Sequence, residues 1–219
     1  MAGQAVMVNW SDVAPEHRHA YYEWHCREHM VGRVALPGFV RGRRCIAAKA
    51  SRDFLVWYEV ESVDVLKSKA YLDKANAPSE LTRRTTPYIQ NSSRALARVR
   101  KSLGVGIGGC VLTLRFDARP GSEAGLENHL ASKALPAMAE IPEITGAHLC
   151  VADMEASAIV PVERQGRPTE IPRWIVLVEG VTLEAVNAAA NAHLADLLQH
   201  GCAGPIVRDT YTLQIMVTK

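Results

Sequence analysis

The sequence lacks any stretch long enough to cross a membrane as a helix. Its longest run without Asp, Glu, Lys or Arg is Ser102 to Leu114, 13 glycine-rich residues, whereas a spanning helix needs about 20 apolar residues. Met1 to Asp12 has no basic start followed by an apolar stretch, so no secretory signal is expected. The five cysteines (Cys26, Cys45, Cys110, Cys150 and Cys202) are odd in number, scattered and never spaced CxxC. That usage favours reduced thiols and a cytoplasmic location. The net charge of +2 is too small to imply a nucleic-acid partner. What remains is an ordinary globular composition, 48% hydrophobic and 22% charged, with enough chain for a substantial core.

The charge is unevenly spread. Residues 1–104 hold 17 Lys and Arg against 10 Asp and Glu, and residues 105–219 hold 8 against 13. Two oppositely charged halves sit well side by side. A basic half also concentrates positive potential for an anionic ligand, with Arg41, Arg43, Arg44, Arg83, Arg84, Arg94, Arg98 and Arg100 as candidates. No aromatic interleaving accompanies them, which argues against a single-strand stacking groove.

Hydrophobic periodicity gives the same element order twice. In residues 1–104, strands are expected over Ala5 to Trp10, Phe39 to Lys49, Phe54 to Glu61 and Ala95 to Leu103. Helices are expected from Asp12 to Ala35 and from Val65 to Asn76. The order is βαββαβ. Residues 105–219 repeat it, with strands at Cys110 to Phe116, Ile144 to Ala152, Trp174 to Glu179 and Thr210 to Thr218. Their helices run from Ser122 to Ala139 and Leu183 to His200. Val6 to Val111 and Pro37 to Pro142 are each 105 residues apart, and an insertion at about 153–172 displaces the later elements from that spacing. That insertion reads as a mobile hairpin over one end of the fold. Leu55 and Trp57 point one way along their strand and Val56 and Tyr58 the other, so both faces of the sheet require cover. The expected class is therefore α+β: two ferredoxin-like repeats, 1–104 and 105–219, their sheets packed face to face as a barrel with helices outside.

The duplication, together with Trp24-His25-Cys26-Arg27-Glu28-His29-Met30 and then Leu36-Pro37-Gly38-Phe39-Val40-Arg41, resembles the dimeric α+β barrel superfamily and its EthD-like and uncharacterised members. The resemblance implies a cavity between helices and sheet. It also brings in cofactor-free monooxygenases, lactone isomerases, haem-binding enzymes and proteins of no known activity. Fold alone does not choose among them.

The first helix carries the richest chemistry. On a regular helical wheel Tyr21, Trp24, His25, Glu28 and His29 share one broad side. Such a face is too polar for a plain core stripe and too aromatic for a plain solvent face. It either lines a ligand cavity, or Tyr21 and Trp24 anchor the helix while His25, Glu28 and His29 sit at its wet edge. His25 to His29 also matches H-x-x-E-H, a zinc motif. A third ligand is missing, since no acidic residue appears between Glu80 and Asp117, so no metal is expected. At the matching positions the second repeat carries Leu130, Lys133 and Ala134, which places the site in the first half. Arg33 follows one turn on, while Arg41 and Tyr58 are candidates on the strands. The glycines from Gly104 to Gly109 precede a strand rather than a helix, the wrong order for dinucleotide binding.

The sequence thus predicts a pocket for a small, partly apolar and anionic-tending organic ligand. Tyr21, Trp24, Arg33, Arg41 and Tyr58 would bind it, and His25, His29 and Glu28 would supply catalytic groups. Cofactor-independent proton transfer or oxygenation, of monooxygenase or isomerase type, is the expected chemistry. A non-catalytic sensor or carrier and a homo-oligomeric assembly subunit are the competing readings, with haem- or metal-dependent enzymes behind them.

Overall fold

Strands form where β-branched and aromatic residues cluster. The computed structural model describes residues 1–219 and contains β1 (Ala5–Val13), β2 (Phe39–Lys49), β3 (Phe54–Val60), β4 (Ile89–Leu103), β5 (Cys110–Ala118), β6 (Ile144–Ala152), β7 (Thr169–Glu170), β8 (Trp174–Gly180) and β9 (Cys202–Thr218). β1 pairs with both β3 and β4, and the ladder continues β3-β2-β9-β5-β8-β6-β4. The sheet therefore closes on itself as a barrel, which removes the exposed edges an open sheet would present.

The seams between repeats are made by the two longest strands. β4 pairs with β1 over its first part and with β6 over its last, Ala97 to Leu103. β9 pairs with β5 and then, from Thr210 onward, with β2. Both strands start earlier than their clearest alternation suggests, at Ile89 and Cys202 rather than Ala95 and Thr210. The additional length is what lets each serve two partners, so that two sheets merge into one closed sheet.

Alternation then sorts the side chains. Val6, Val8, Trp10, Leu55 and Trp57 fill the barrel interior with Ile175, Leu177 and Tyr211. Met7, Val56 and Tyr58 face the helices and pack with Met30, Val34 and Phe39. One end of the interior is polar. Arg43 donates to Glu59 and to Glu179, its guanidinium lies 4.0 Å from the Trp57 ring, and His148 Nε2 lies 3.1 Å from Glu179 Oε1. Arg43 and His148 are 105 residues apart, so each repeat contributes the matching residue to this network. The barrel is solid there, and room for a ligand lies between sheet and helices.

The first helix is not uniform. It comprises α1 (Arg18–Trp24), a π-helical turn (His25–His29) and α2 (Met30–Val34). The second repeat copies this with α5 (Glu123–His129), a π turn (Leu130–Ala134) and α6 (Leu135–Ala139). Between them lie α3 (Lys69–Asn76) and α4 (Glu80–Thr85), followed later by α7 (Met154–Ser157) and α8 (Leu183–His193). The α4 helix falls between the expected helix ending at Asn76 and the expected strand starting at Ala95. It forms because Ser79 caps it, its Oγ accepting from Thr82 N at 3.0 Å. Ser68 likewise starts α3, cutting off Val63–Lys67 as a separate 3-10 turn. α8 ends at His193 instead of continuing to His200.

Candidate active site

Between the first repeat's helices and the outer face of its sheet lies a cavity of about 60 Å³, room for a few water molecules or a small ligand. β1 supplies Met7, Asn9 and Ser11, β3 supplies Val56 and Tyr58, and β4 supplies Arg94. These are alternate residues on pleated strands, so all face the helix layer. The helical side contributes Tyr21, Trp24, His25, His29 and Arg33, with Tyr71 from α3. The segment between β6 and β8 closes the cavity with Glu163, Arg164 and Arg167. It is seated by β7, which pairs in parallel with Ser92 and Ser93 of β4. The insertion thus lies across the first-repeat cavity, not over an end of the barrel.

His25 is 2% exposed. Its ring stacks on Tyr21 at 5.1 Å, and Arg44 Nη1 donates to its Nδ1 at 3.3 Å. Because a guanidinium only donates, Nδ1 must be the acceptor and a neutral ring keeps its proton on Nε2. Burial, reinforced by the Arg44 cation, holds its pKa well below the ordinary 6.5. His29 packs against Trp24 at 4.3 Å and stacks with His25 at 5.5 Å. Burial first, then the Arg33 cation, also holds it well below 6.5. No protein group hydrogen-bonds its ring, which lines the cavity and keeps a basic nitrogen free. Tyr58 Oη, Asn9 Oδ1 and Arg33 Nη1 are buried without a partner. Unpaired polar atoms around one cavity call for a polar occupant.

Six of the eight sequence-predicted residues meet here: Tyr21, Trp24, His25, His29, Arg33 and Tyr58. Two do not line this cavity. Glu28 Oε1 accepts from Ser79 Oγ at 2.5 Å and Thr82 Oγ1 at 2.8 Å, tying the helix to α4. The π turn explains this, since its wider winding carries Glu28 away from the side shared by His25 and His29. Arg41 donates to Glu59 at 2.8 Å, on the strand face that leads to the barrel's polar end. Sequence reasoning missed Asn9, Ser11, Tyr71, Glu163, Arg164 and Arg167 as wall residues. Polar residues alternating within an otherwise apolar strand were the available signal for Asn9 and Ser11. The insertion has no periodicity from which its contribution could be read.

The donor set does not suit a zinc ion. Nδ1 of His25 is occupied by Arg44, Glu28 faces α4, and Arg33 approaches His29. A haem does not fit beside His29 either, because Trp24, His25 and Tyr58 already crowd its ring at 4.3, 5.5 and 6.4 Å. Elsewhere, His129, Asp196 and His200 bring ligand-type atoms within 4.8 Å of one another. The two imidazoles stack face to face at 3.5 Å, so their in-plane lone pairs run side by side instead of converging.

No protein-family profile matches this chain, and no curated protein matches it. Solved structures do. An anthrone oxidase-like protein superposes with a TM-score of 0.67 at 13% identity, covering 99% of this chain and 94% of its own. A candidate monooxygenase from Lactobacillus acidophilus NCFM gives 0.64 at 9% identity, covering 98% and 95%. A chlorite dismutase variant from Candidatus Nitrospira defluvii gives 0.55 at 7%, covering 97% and 93%. At such identities the likeness is one of fold, and that fold is the ferredoxin-like α+β barrel shared by monooxygenase-like and chlorite dismutase-like structures.

Proposed function

We propose that this protein binds a small, partly apolar organic molecule in the first-repeat cavity and acts on it as a cofactor-independent, monooxygenase-like enzyme. The observation that carries the reading is His29: a neutral, unpartnered imidazole lining a cavity in which Tyr58 Oη, Asn9 Oδ1 and Arg33 Nη1 also lack partners. A base held neutral at physiological pH needs no prior deprotonation to accept a proton. In this reading His29 takes a proton from an acidic C–H of the substrate. The negative charge that develops on a conjugated oxygen is met by donors, His25 Nε2–H and the Tyr58 hydroxyl. Dioxygen then captures the carbanion. Overall, a CH2 group and O2 give C=O and water, so carbon supplies the four electrons that dioxygen takes up. The relation to EthD-like proteins belongs with this reading, as does a cytoplasmic setting for five free cysteines.

Anthrone, named in one structural neighbour, is a suitable probe because its ring CH2 is acidic and its quinone product has a distinct near-ultraviolet absorbance. The purified protein is expected to speed quinone formation with matching oxygen uptake. His29→Ala should lower that rate about 10²- to 10⁴-fold, the range for losing a general base, with the circular dichroism unchanged. Equal rates in both proteins would refute His29 as the base. Binding without turnover would select the carrier reading.

A further inference from the structure

We propose that the cavity's ligand is an aromatic acid, whose carboxylate is bound by Arg94, Arg164 and Arg167. This rests on the reading that the cavity holds a small organic molecule, and it names that molecule's charge and shape.

The charge around the cavity does not balance. Four guanidinium groups line it (Arg33, Arg94, Arg164 and Arg167) against one carboxylate, Glu163. Arg33 takes that carboxylate in an ion pair. The other three have none. Arg94, 3% exposed, donates to Tyr71 Oη at 3.1 Å and reaches Met7 Sδ at 3.4 Å. Arg164 donates to Thr169 Oγ1 at 3.0 Å, and Arg167 to the Glu163 carbonyl at 2.6 Å. All of these acceptors are neutral. Arg94 is buried, and Arg164 and Arg167 are half-buried beside it; charges withdrawn from water are normally paired, and arginine cannot escape by losing its proton. Burial, with Arg94 and Arg167 as like-charged neighbours, pushes Arg164 below its ordinary pKa. The missing partner is an anion.

The same three residues come from two parts of the chain. Arg94 stands on β4, in the wall, while Arg164 and Arg167 stand on the segment laid over it. An anion here would bridge wall and cover. The planar guanidinium fork matches a carboxylate better than a point charge does. Opposite, the rings of Tyr21, Trp24, His25, His29 and Tyr58 present flat, largely apolar surfaces. Together they describe a flat aromatic body bearing an acidic group, which exceeds the roughly 60 Å³ of free space and enters only as the covering segment with Arg164 and Arg167 moves outward.

The test uses the full chain, titrated calorimetrically with 2-naphthoate and with its neutral counterpart 2-naphthamide. The acid is expected to bind about tenfold tighter or more, the range of a charge-assisted hydrogen bond. Arg164→Gln combined with Arg167→Gln lies outside the closed sheet and should bring the two affinities to within about twofold of each other. As a second readout, trypsin cleavage after Arg164, which Gln165 follows, should slow several-fold in saturating naphthoate and not in naphthamide. Equal affinity for both compounds in the wild type, or a preference that survives the double variant, overturns the anion site while leaving the pocket. Failure of both compounds to bind at millimolar concentration overturns the pocket reading and the anion site with it.

Discussion

Between helix and sheet the first repeat places Asn9, Ser11, Tyr21, His25, His29 and Arg33, where the second repeat, 105 residues on, places Leu114, Phe116, Leu126, Leu130, Ala134 and Met138. Tyr58 on β3 likewise corresponds to Val178 on β8. The second set belongs to one continuous apolar core in which each residue is buried. The first set surrounds a cavity. Both repeats keep the same strands, the same π turn and the same closing ladder. The frame therefore closes over an apolar filling, and the polar filling of the first repeat is not what builds it. Groups that the frame does without, gathered around an opening, are the ones to read as functional.

Exchanging residues between the repeats is the most severe way to break this comparison. Leu130→His puts an imidazole into a packed apolar layer that has no Arg44 equivalent to satisfy it and no cavity to receive it. The cost combines lost burial with an unpaired polar group, about 3–5 kcal/mol. Urea unfolding should show this as a lower midpoint with an unchanged slope. A loss below about 1 kcal/mol would mean that the second repeat's layer is as permissive as the first's.

Acidification probes the same asymmetry without a mutation. His25 and His29 are held well below 6.5 in the folded protein, first by burial. The unfolded chain takes up their protons near pH 6.5. It then binds more protons than the folded state, so stability is complete above that pH and falls as the pH drops toward the depressed folded values. Each such histidine adds a slope approaching about 1.4 kcal/mol per pH unit. Between pH 6.5 and 5, the double variant His25→Leu, His29→Leu should flatten the dependence. A residual slope should persist from His148, which burial also lowers. An unaltered profile in the double variant would show that neither imidazole is held neutral.

Glu28 sharpens the comparison further, because the second repeat has Lys133 there and no latch of this kind. Glu28→Gln weakens two charge-assisted hydrogen bonds from Ser79 and Thr82 and should cost about 1 kcal/mol. The loss should vanish when Ser79 and Thr82 are both replaced by Ala. A cost that persists in that background would place the role of Glu28 elsewhere.

How much of this was legible in the sequence depends on the kind of signal. The duplication and the opposite facing of Tyr58 and Trp57 follow from alternation, and the other five site residues follow from an unusual mixture on one helix. The placement of Glu28 did not, because a π turn disturbs a wheel drawn at regular spacing. Nor did Arg43: on the chain it is one basic residue in a run of three, and only closure of the barrel puts Glu59 and Glu179 beside it. Arg164 and Arg167 were out of reach for a related reason. They arrive at the site through β7 joining β4, a long-range pairing of two residues that carries no pattern of its own.

The smallest expected change in stability is the most informative about function. His25→Leu imports the second repeat's residue into the first. Arg44 loses its contact with Nδ1 but keeps Gln214 at 2.9 Å and the face of Tyr22 at 4.6 Å, while the leucine recovers apolar burial. The net change should fall within about 1 kcal/mol in either direction, against several for Leu130→His at the matching position. Naphthoate binding and anthrone turnover should nevertheless drop, since the Nε2–H donor is gone from the cavity. If His25→Leu instead costs as much as its mirror substitution, the imidazole is part of the frame, and the contrast between the two repeats no longer distinguishes function from packing.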